Sequence, residues 1–572
     1  MSVVKFFPNI KFLSGGNSFE LTSKNISFCV ASVYDYVINI AKPGDRVGLI
    51  FKTSPELIAI WLACLECKLV PVLLSYPTEK QKKDTYIDSI SSSCNQIELV
   101  SVLVDGYAFD VLKEGDISLS LWEGDIFLQH DHAKSFDFDA LFDTAKFIQL
   151  SSGTTGHRKG IEFKLSNVIE HINDYDSTMN YQPNDVIVSW LPLYHDMGFI
   201  ACFLASLIKK IDLVLIDPLE WVKAPSLLID AISDNQGTIV YMPNFGFEIM
   251  SRLPGDYVLN SMRMWISCSE PTYYRTIKKF IERYKVPNHC YATCYAMAEN
   301  IFCVTQSKGL EFLNANLDCI SCGSSIPNVD IRLIDSQIYV KSPYSLNSYI
   351  GGIQLNLVDG YYATGDIGVV SDGDLAVTGR IGDILNIAGK KFMLNDIDEI
   401  INSVDFSIKG RAASLADYDD VLNIERLLIL VEREDFYLSH NLAELSLLIK
   451  SSIEIDNVKL DFVPKGFISK TSSGKINRKK TLFDYRERAS DVLQSTTVIT
   501  SLKEEVLRVC PLANFDLPID IALDSLSITI FQMLLADREL PYDPSKSLLY
   551  YFDLENQSIS CATSSHSVNS TD

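Results

Sequence analysis

Long apolar runs are missing from this sequence. Its most hydrophobic stretches, Phe199 to Leu207 and Ile211 to Ile216, are interrupted by Lys209-Lys210. Both fall well short of the ~20 residues that a bilayer-spanning helix needs, so no membrane span is expected. Positive charge is scarce as well: 50 Lys and Arg stand against 73 Asp and Glu, a formal net charge of -23. That balance argues against nucleic-acid backbones and anionic membrane surfaces as partners, and leaves a small molecule as the source of any phosphate to be bound. Metal-type cysteine spacing is absent. The 13 Cys are scattered, and the two CxxC pairs, Cys64/Cys67 and Cys319/Cys322, lie far apart with no neighbouring His. Buried thiols in a reducing compartment are therefore expected in preference to zinc or redox chemistry. Met1-Ser-Val-Val-Lys opens no apolar leader with a cleavage site, so a cytoplasmic protein is expected. No internal repeat is visible.

What is present is globular in composition. With 572 residues, 47% hydrophobic and 22% charged, the chain has room for three or four domains at roughly 150 residues each. From Val33 to Leu74 helix-like and strand-like pieces alternate: a helical run to Ala41, the turn Pro43-Gly44-Asp45, apolar Val47 to Phe51, an amphipathic run to Cys67, then Leu69 to Leu74. Such alternation predicts βαβ units and a parallel sheet. The rhythm recurs at Asp185 to Val188, Leu213 to Ile216 and Gly237 to Tyr241, so the fold class over residues 1–380 is α/β. After Gly379 the units shorten, with a strand expected at Arg426 to Glu432 and a helix at Leu442 to Ile453, as in a smaller α+β domain over 381–488. Residues 489–500, rich in Ser, Thr and Gln, suit a linker; 501–560 are acidic and helical in pattern; the Ser/Thr-rich tail 561–572 is expected to be disordered.

One loop concentrates polar chemistry. Behind the apolar run Ala145 to Leu150 come Ser151-Ser152-Gly153-Thr154-Thr155-Gly156-His157-Arg158-Lys159-Gly160. Glycines let backbone N–H groups approach a ligand closely, hydroxyls add donors and Lys159 adds charge, so the pattern suits a strand opening into a phosphate-binding loop. Plain loops between apolar runs share this composition. The common P-loop pattern G-x-x-x-x-G-K-[ST] is not met, because Gly160 follows Lys159.

Further segments follow in order. They are Trp190-Leu-Pro-Leu-Tyr-His195-Asp196-Met-Gly198, Met242-Pro-Asn-Phe245, Ser267-Cys-Ser269-Glu270-Pro271, Tyr295-Ala-Met-Ala298-Glu299, Ser321-Cys-Gly323, Tyr362-Ala-Thr-Gly-Asp366, Gly379-Arg380-Ile-Gly382-Asp383 and Lys470-Thr-Ser-Ser-Gly-Lys475-Ile-Asn-Arg478. Over about residues 30 to 485 this series resembles the adenylate-forming superfamily of acyl-CoA synthetases, nonribosomal peptide adenylation domains and luciferases. The wording is most similar to the fatty acyl-AMP ligase branch, which loads fatty acids onto carrier proteins.

The resemblance implies a large two-part N-terminal domain with mixed sheets flanked by helices, and a small mobile C-terminal domain. It implies ATP and Mg2+, with Thr154, Thr155, Gly156 and Lys159 on the β- and γ-phosphates, Ser151, Ser152 and Gly153 also in the nucleotide site, and Glu299 as the metal-coordinating carboxylate. Asp366 and Arg380 would contact the ribose; Ser269-Glu270-Pro271, Tyr295 and Ala298 would complete the nucleotide site. Lys475 would be the electrostatic catalyst beside the carboxylate and α-phosphate, while His195 would shape the acyl and pantetheine tunnel. Gly382 would be the hinge, and Gly389-Lys390-Lys391 the loop that enters the site in a second state. Several residues depart from the family pattern: Arg158 replaces Pro, Ala296 replaces Gly, and no Gly-Glu precedes Ile338-Tyr339-Val340.

Ala522-Leu-Asp-Ser525-Leu526 resembles the carrier-domain motif whose Ser takes 4'-phosphopantetheine, although Asp and Ser are also ordinary helix caps. A short carrier-like helical domain and a degenerate helical appendage both remain open. The expected activity is activation of a fatty or other hydrophobic acid as acyl-AMP, with pyrophosphate release and transfer to a phosphopantetheine thiol. That thiol is carried by this chain or by a separate carrier protein; a downstream polyketide or peptide synthase or acyltransferase, and a phosphopantetheinyl transferase, are the implied partners. Ligation to free CoA, and nucleotide binding without turnover, are the alternatives.

Overall fold

A computed structural model describes residues 7–78, 83–124, 126, 141–142, 144–150, 159–255, 257–314, 319–346, 348–387, 390–403, 411–419, 424–433, 458–470, 475–493, 535, 541–543 and 545–552. The chain forms two compact units, the first ending at Gly379 and the second starting at Arg380.

Two large sheets dominate the first unit. A six-stranded sheet runs in the order Leu119–Leu121, Ser101–Val104, Arg46–Ile50, Val70–Leu73, Lys146–Leu150, Gly160–Lys164, parallel except at its last pair. A nine-stranded sheet holds a parallel core of Tyr291–Ala296, Met264–Cys268, Ile239–Met242, Val186–Ser189, Asp212–Ile216 and Ile10–Ser14. Continuous Val, Ile and Leu runs build these strands because helices cover both faces and leave no wet side. Helix Pro55–Glu66 shows the consequence: Ser54 caps it by accepting from the Leu57 N–H, Pro starts it, and every residue from Leu57 to Leu65 is buried. A helix apolar all round belongs between layers. Its Trp61 packs edge-on against Phe147 of the six-stranded sheet and Phe199, with ring centroids 6.1 Å and 5.2 Å away.

A smaller antiparallel sheet of Asp330–Ile334, Gln337–Lys341, Leu357–Val358 and Tyr361–Ser371, with Asp374–Arg380 also paired to Tyr361–Ser371, completes this unit. Its hairpins turn on Asp335-Ser336, Asp359-Gly360 and Asp372-Gly373, two residues each at positive φ. This is the turn whose twist matches that of the flanking strands, and Asp and Gly tolerate it best.

In the second unit, hairpin Ile384–Ile387/Lys390–Met393 leads into helix Leu394–Ser403. Strand Ile424–Arg433 lies between antiparallel Ala412–Asp419 and parallel Val458–Pro464, and helix Arg478–Leu493 follows. The strand expected at Arg426 to Glu432 is the core of the central one. The helix expected at Leu442 to Ile453 and the carrier-like motif with Ser525 lie outside the described residues; of the linker expected over 489–500, residues 489–493 instead continue helix Arg478–Leu493, and the rest lies outside them. Among the described residues, no helix is long and apolar enough to cross a membrane, and no group of three or more His, Cys, Asp or Glu is arranged to hold a metal.

Candidate active site

The Ser/Thr/Gly loop joins two neighbouring antiparallel strands, with Leu150 paired to Gly160 at its base and Lys146 bridging to Glu162 at 2.8 Å further along. Residues Ser151 to Arg158 lie outside the described residues, but Lys159 does not. Its ammonium sits 4.5 Å from the centroid of the Tyr349 ring, a cation–π contact, and makes no ion pair among the described residues. The Gly160 carbonyl accepts from the Ile350 N–H at 2.9 Å, and a Cβ on Gly160 would meet Ile350 Cδ1 at 3.0 Å. The loop's exit is thereby tied to the segment that carries Tyr349.

Glu299 occupies the 3-10 turn Ala298–Asn300, between strands Tyr291–Ala296 and Cys303–Gln306. Oε1 accepts from the Tyr349 hydroxyl at 2.6 Å, and Oε2 has no partner among the described residues. The turn is held from behind by buried polar groups. Asn300 Nδ2 donates to the Cys303 carbonyl at 2.9 Å, the Ser342 hydroxyl donates to Asn300 Oδ1, and the Cys303 N–H donates to His171 Nε2 at 3.1 Å. Between them Ile301 adopts φ 68°, ψ -62°, and the Phe302 N–H reaches back to the Asn300 carbonyl at 2.8 Å. A γ-turn of this hand is strained for any side chain, and more so for a β-branched one. Such strain persists only where the surroundings over-determine it, as the network around Asn300 and His171 does.

The remaining nucleotide candidates stand on or directly after strands. Asp366, on Tyr361–Ser371, accepts from the Tyr295 hydroxyl at 2.7 Å, and its own N–H donates to Thr364 Oγ1 at 3.0 Å. Four residues before Asp366 on the same strand, the Tyr362 hydroxyl lies 3.2 Å from that of Tyr349. Lys159, Glu299, Tyr349 and Tyr362 thus share one connected set of contacts, and Tyr295 and Asp366 form a separate pair, Asp366 on the strand that bears Tyr362. Arg380 ends strand Asp374–Arg380. Ser269, at φ 74°, follows strand Met264–Cys268, and Glu270 Oε1 accepts from the Phe245 N–H at 2.5 Å, drawing the Ser269-Glu270-Pro271 turn to the start of helix Asn244–Met250.

His195 packs its ring against Tyr194, centroids 4.7 Å apart, directly before a π-helix at Met197–Leu204 whose start Asp196 caps. All eight residues of that π-helix are buried, and its seven side chains belong to the main core. A small hollow of about 40 Å³ opens at the carboxyl ends of Arg46–Ile50 and Val70–Leu73, with Lys52, Tyr76, Tyr194 and Asp217 among its walls. None of the described nucleotide candidates lines it, so this hollow is distinct from the set around Glu299.

In the second unit, Lys475 is exposed on a segment whose ends are drawn together by the Lys470–Ile476 bridge. Arg478 anchors that segment. Its guanidinium, partly buried, pairs with Asp398 at 2.7 Å and Asp383 at 3.2 Å and donates to the Ser414 carbonyl at 2.9 Å. Gly382 stands in the 3-10 turn Ile381–Asp383, where a Cβ would meet nothing within 4 Å. Hence Asp383, next to the expected hinge, is tied by Arg478 to the segment bearing Lys475. Sequence reasoning passed over Tyr349, Tyr362, His171 and the anchoring role of Arg478. Of these, Tyr362 and Arg478 stood within quoted motifs, neither with a role of its own.

The chain is 25% identical over 517 residues to the long-chain-fatty-acid–AMP ligase FadD26 of Mycobacterium bovis, covering 78% of this chain and 88% of that protein. It is 24% identical over 547 residues to FadD28 of Mycobacterium tuberculosis, covering 81% and 92%. Among solved structures, one of the fatty acyl-adenylate ligases from E. coli and L. pneumophila superimposes with a TM-score of 0.73 at 21% identity, covering 86% of this chain and 97% of that one. Residues 38–343, more than half of the 572, match the family described as AMP-binding enzyme, and the chain belongs to that family.

Proposed function

We propose that this chain is a fatty acyl-AMP ligase. It activates a fatty or other hydrophobic carboxylic acid with ATP and passes the acyl group to a phosphopantetheine thiol on its own Ser525 or on a separate carrier protein. The observation that carries the proposal is the juxtaposition of Lys159 and Glu299 about Tyr349, together with the Tyr295–Asp366 pair. A cation next to a hydroxyl-rich loop, and a carboxylate with one uncommitted oxygen, suit the β,γ-phosphates and a hard divalent ion. Mg2+, when bound, neutralises phosphate charge and holds the leaving pyrophosphate.

In the first step a carboxylate oxygen attacks the α-phosphorus, the bond to the β-phosphate oxygen breaks, and pyrophosphate leaves. Lys159 offsets charge on the departing phosphates, Asp366 accepts from ribose hydroxyls, and Lys475 stabilises the negative charge shared by carboxylate and α-phosphate. In the second step a pantetheine thiolate attacks the acyl carbon and AMP leaves. Ser269, Glu270, Pro271, Ala298 and Arg380 complete the nucleotide site, His195 shapes the acyl path, and Gly382 is the pivot between the two steps. A phosphopantetheinyl transferase would load Ser525, in the cytoplasm.

Acid-dependent exchange of labelled pyrophosphate into ATP, run over a panel of fatty acids, tests the first step. Lys475→Ala should lower the exchange rate by roughly 10²- to 10³-fold, the loss typical of a transition-state charge contact, while ATP affinity stays nearly unchanged. Absence of exchange with every acid would favour a nucleotide-binding protein without turnover. Intact mass after co-expression with a phosphopantetheinyl transferase tests Ser525, and faster acyl transfer to CoA than to holo-carrier would replace the carrier with CoA.

A further inference from the structure

Tyr349 joins the two elements that bear Lys159 and Glu299. It is only 4% exposed, although it stands in a Ser/Gly-rich stretch that reads as a surface loop. Its hydroxyl donates to Glu299 Oε1, its ring lies under the Lys159 ammonium, and the neighbouring Ile350 N–H donates to the Gly160 carbonyl. A phenol has one proton to donate. With that proton on Glu299, the 3.2 Å pair between Tyr349 and Tyr362 uses the Tyr362 proton. A directed chain results, from Tyr362 to Tyr349 to the carboxylate, in which each bond polarises the next.

We propose that Tyr349 is the positioning residue of the phosphate end of the site: its hydroxyl occupies one oxygen of Glu299, leaving the other to the Mg2+ of Mg·ATP, and its ring holds the Lys159 ammonium ready for the β- and γ-phosphates. This rests on the roles proposed above for Glu299 and Lys159. A carboxylate free to turn would present either oxygen, or both, and would have to be ordered each time nucleotide arrives. The hydroxyl removes that freedom before binding.

The test is calorimetric titration of ATP into the full-length chain at a series of free Mg2+ concentrations, and again in EDTA. Tyr349→Phe keeps the ring beneath Lys159 and removes only the hydroxyl. The Mg2+ concentration giving half of the maximal gain in ATP affinity should rise about tenfold, the weight of one hydrogen bond to a charged group, while affinity in EDTA holds. A residue of purely structural importance would lower the melting temperature without moving that Mg2+ dependence, and such a result in folded Tyr349→Phe overturns the inference. If Tyr349→Phe does not fold, Tyr362→Phe probes the same chain from its far end: a smaller rise in the same direction is expected, and none overturns the inference. Glu299→Gln separates the two layers of the argument. If it leaves the Mg2+ dependence intact, the metal role of Glu299 fails and the inference with it; if it removes the dependence while Tyr349→Phe changes nothing, only the inference fails.

Discussion

His171 makes the support of the Glu299 turn sensitive to acid, by an amount the structure sets. It lies on helix Leu165–Met179, fully buried, with Nε2 accepting from the Cys303 N–H and its ring edge-on to Tyr344. An accepting Nε2 requires the neutral imidazole with its proton on Nδ1. Burial pulls its pKa from 6.5 down to about 3, opposed only weakly by the charge of Asp174. Between those two values the unfolded chain binds a proton that the folded chain refuses, so stability rises with pH through that window and falls on acidification. The slope is ~1.4 kcal/mol per pH unit, which makes the loss about 2 kcal/mol on descending to pH 5. All five tryptophans, at 61, 122, 190, 221 and 265, lie in the first unit, so urea unfolding followed by tryptophan fluorescence reports on that unit. His171→Gln should be less stable than the parent at pH 7 but should lose about 2 kcal/mol less between pH 7 and pH 5, because Gln can accept from Cys303 without titrating. Equal pH slopes in the two proteins would refute the assignment of a neutral, buried His171.

Two further substitutions test how the units are held. Gly323, at φ 72°, places its missing Cβ 2.1 Å from the Gln306 carbonyl oxygen, a backbone atom that cannot move aside. Gly323→Ala should cost about 3 kcal/mol or more and depress the first tryptophan-detected transition sharply. Arg478→Met removes the partner of a buried Asp398, whose carboxyl burial already pushes above its usual range against the pull of the guanidinium. A loss of about 3–5 kcal/mol is expected, read as faster hydrogen exchange along Ala412–Asp419 and Ile424–Arg433; unchanged protection there would show that the pair does not hold the unit together.

The parallel strands were legible because burial on both faces forces continuous Val, Ile and Leu. The apolar runs Val47 to Phe51, Leu69 to Leu74 and Leu213 to Ile216, marked as strands by sequence alone, overlap strands Arg46–Ile50, Val70–Leu73 and Asp212–Ile216. The two-residue hairpins were legible in principle, since Asp359-Gly360 and Asp372-Gly373 are strong turn dipeptides between apolar pairs. The run from Phe199 to Leu204 was ambiguous for a physical reason. A wholly apolar segment has no polar face to set its period, and it folds here as a buried π-helix. The candidate site was legible only at residues whose type advertises charge or hydroxyl chemistry. Tyr349 and Tyr362 carry no such signal, because a tyrosine earns its role from what its ring and hydroxyl touch, and those contacts span 50 residues to Glu299 and 190 to Lys159.

Local propensity points away from the backbone at Ile301. A β-branched residue favours extended structure, yet Ile301 is held at φ 68° two residues beyond Glu299. Its side chain is almost fully buried in the main core, so apolar burial pins the residue while the neighbouring buried groups pin the chain on either side. Asn300 is fixed through Ser342 and the Cys303 carbonyl, and Cys303 through His171. Were the turn relaxed to ordinary β-geometry, the short reversal from Asn300 to Phe302 would open and the strand pairing of Ala296 with Cys303 would shift. Conflict between propensity and fold, confined to one residue and over-determined from every side, is the expected mark of a place where position matters more than stability. Glu299 is the neighbouring side chain that such a turn could serve, and Tyr349 meets it from the opposite direction.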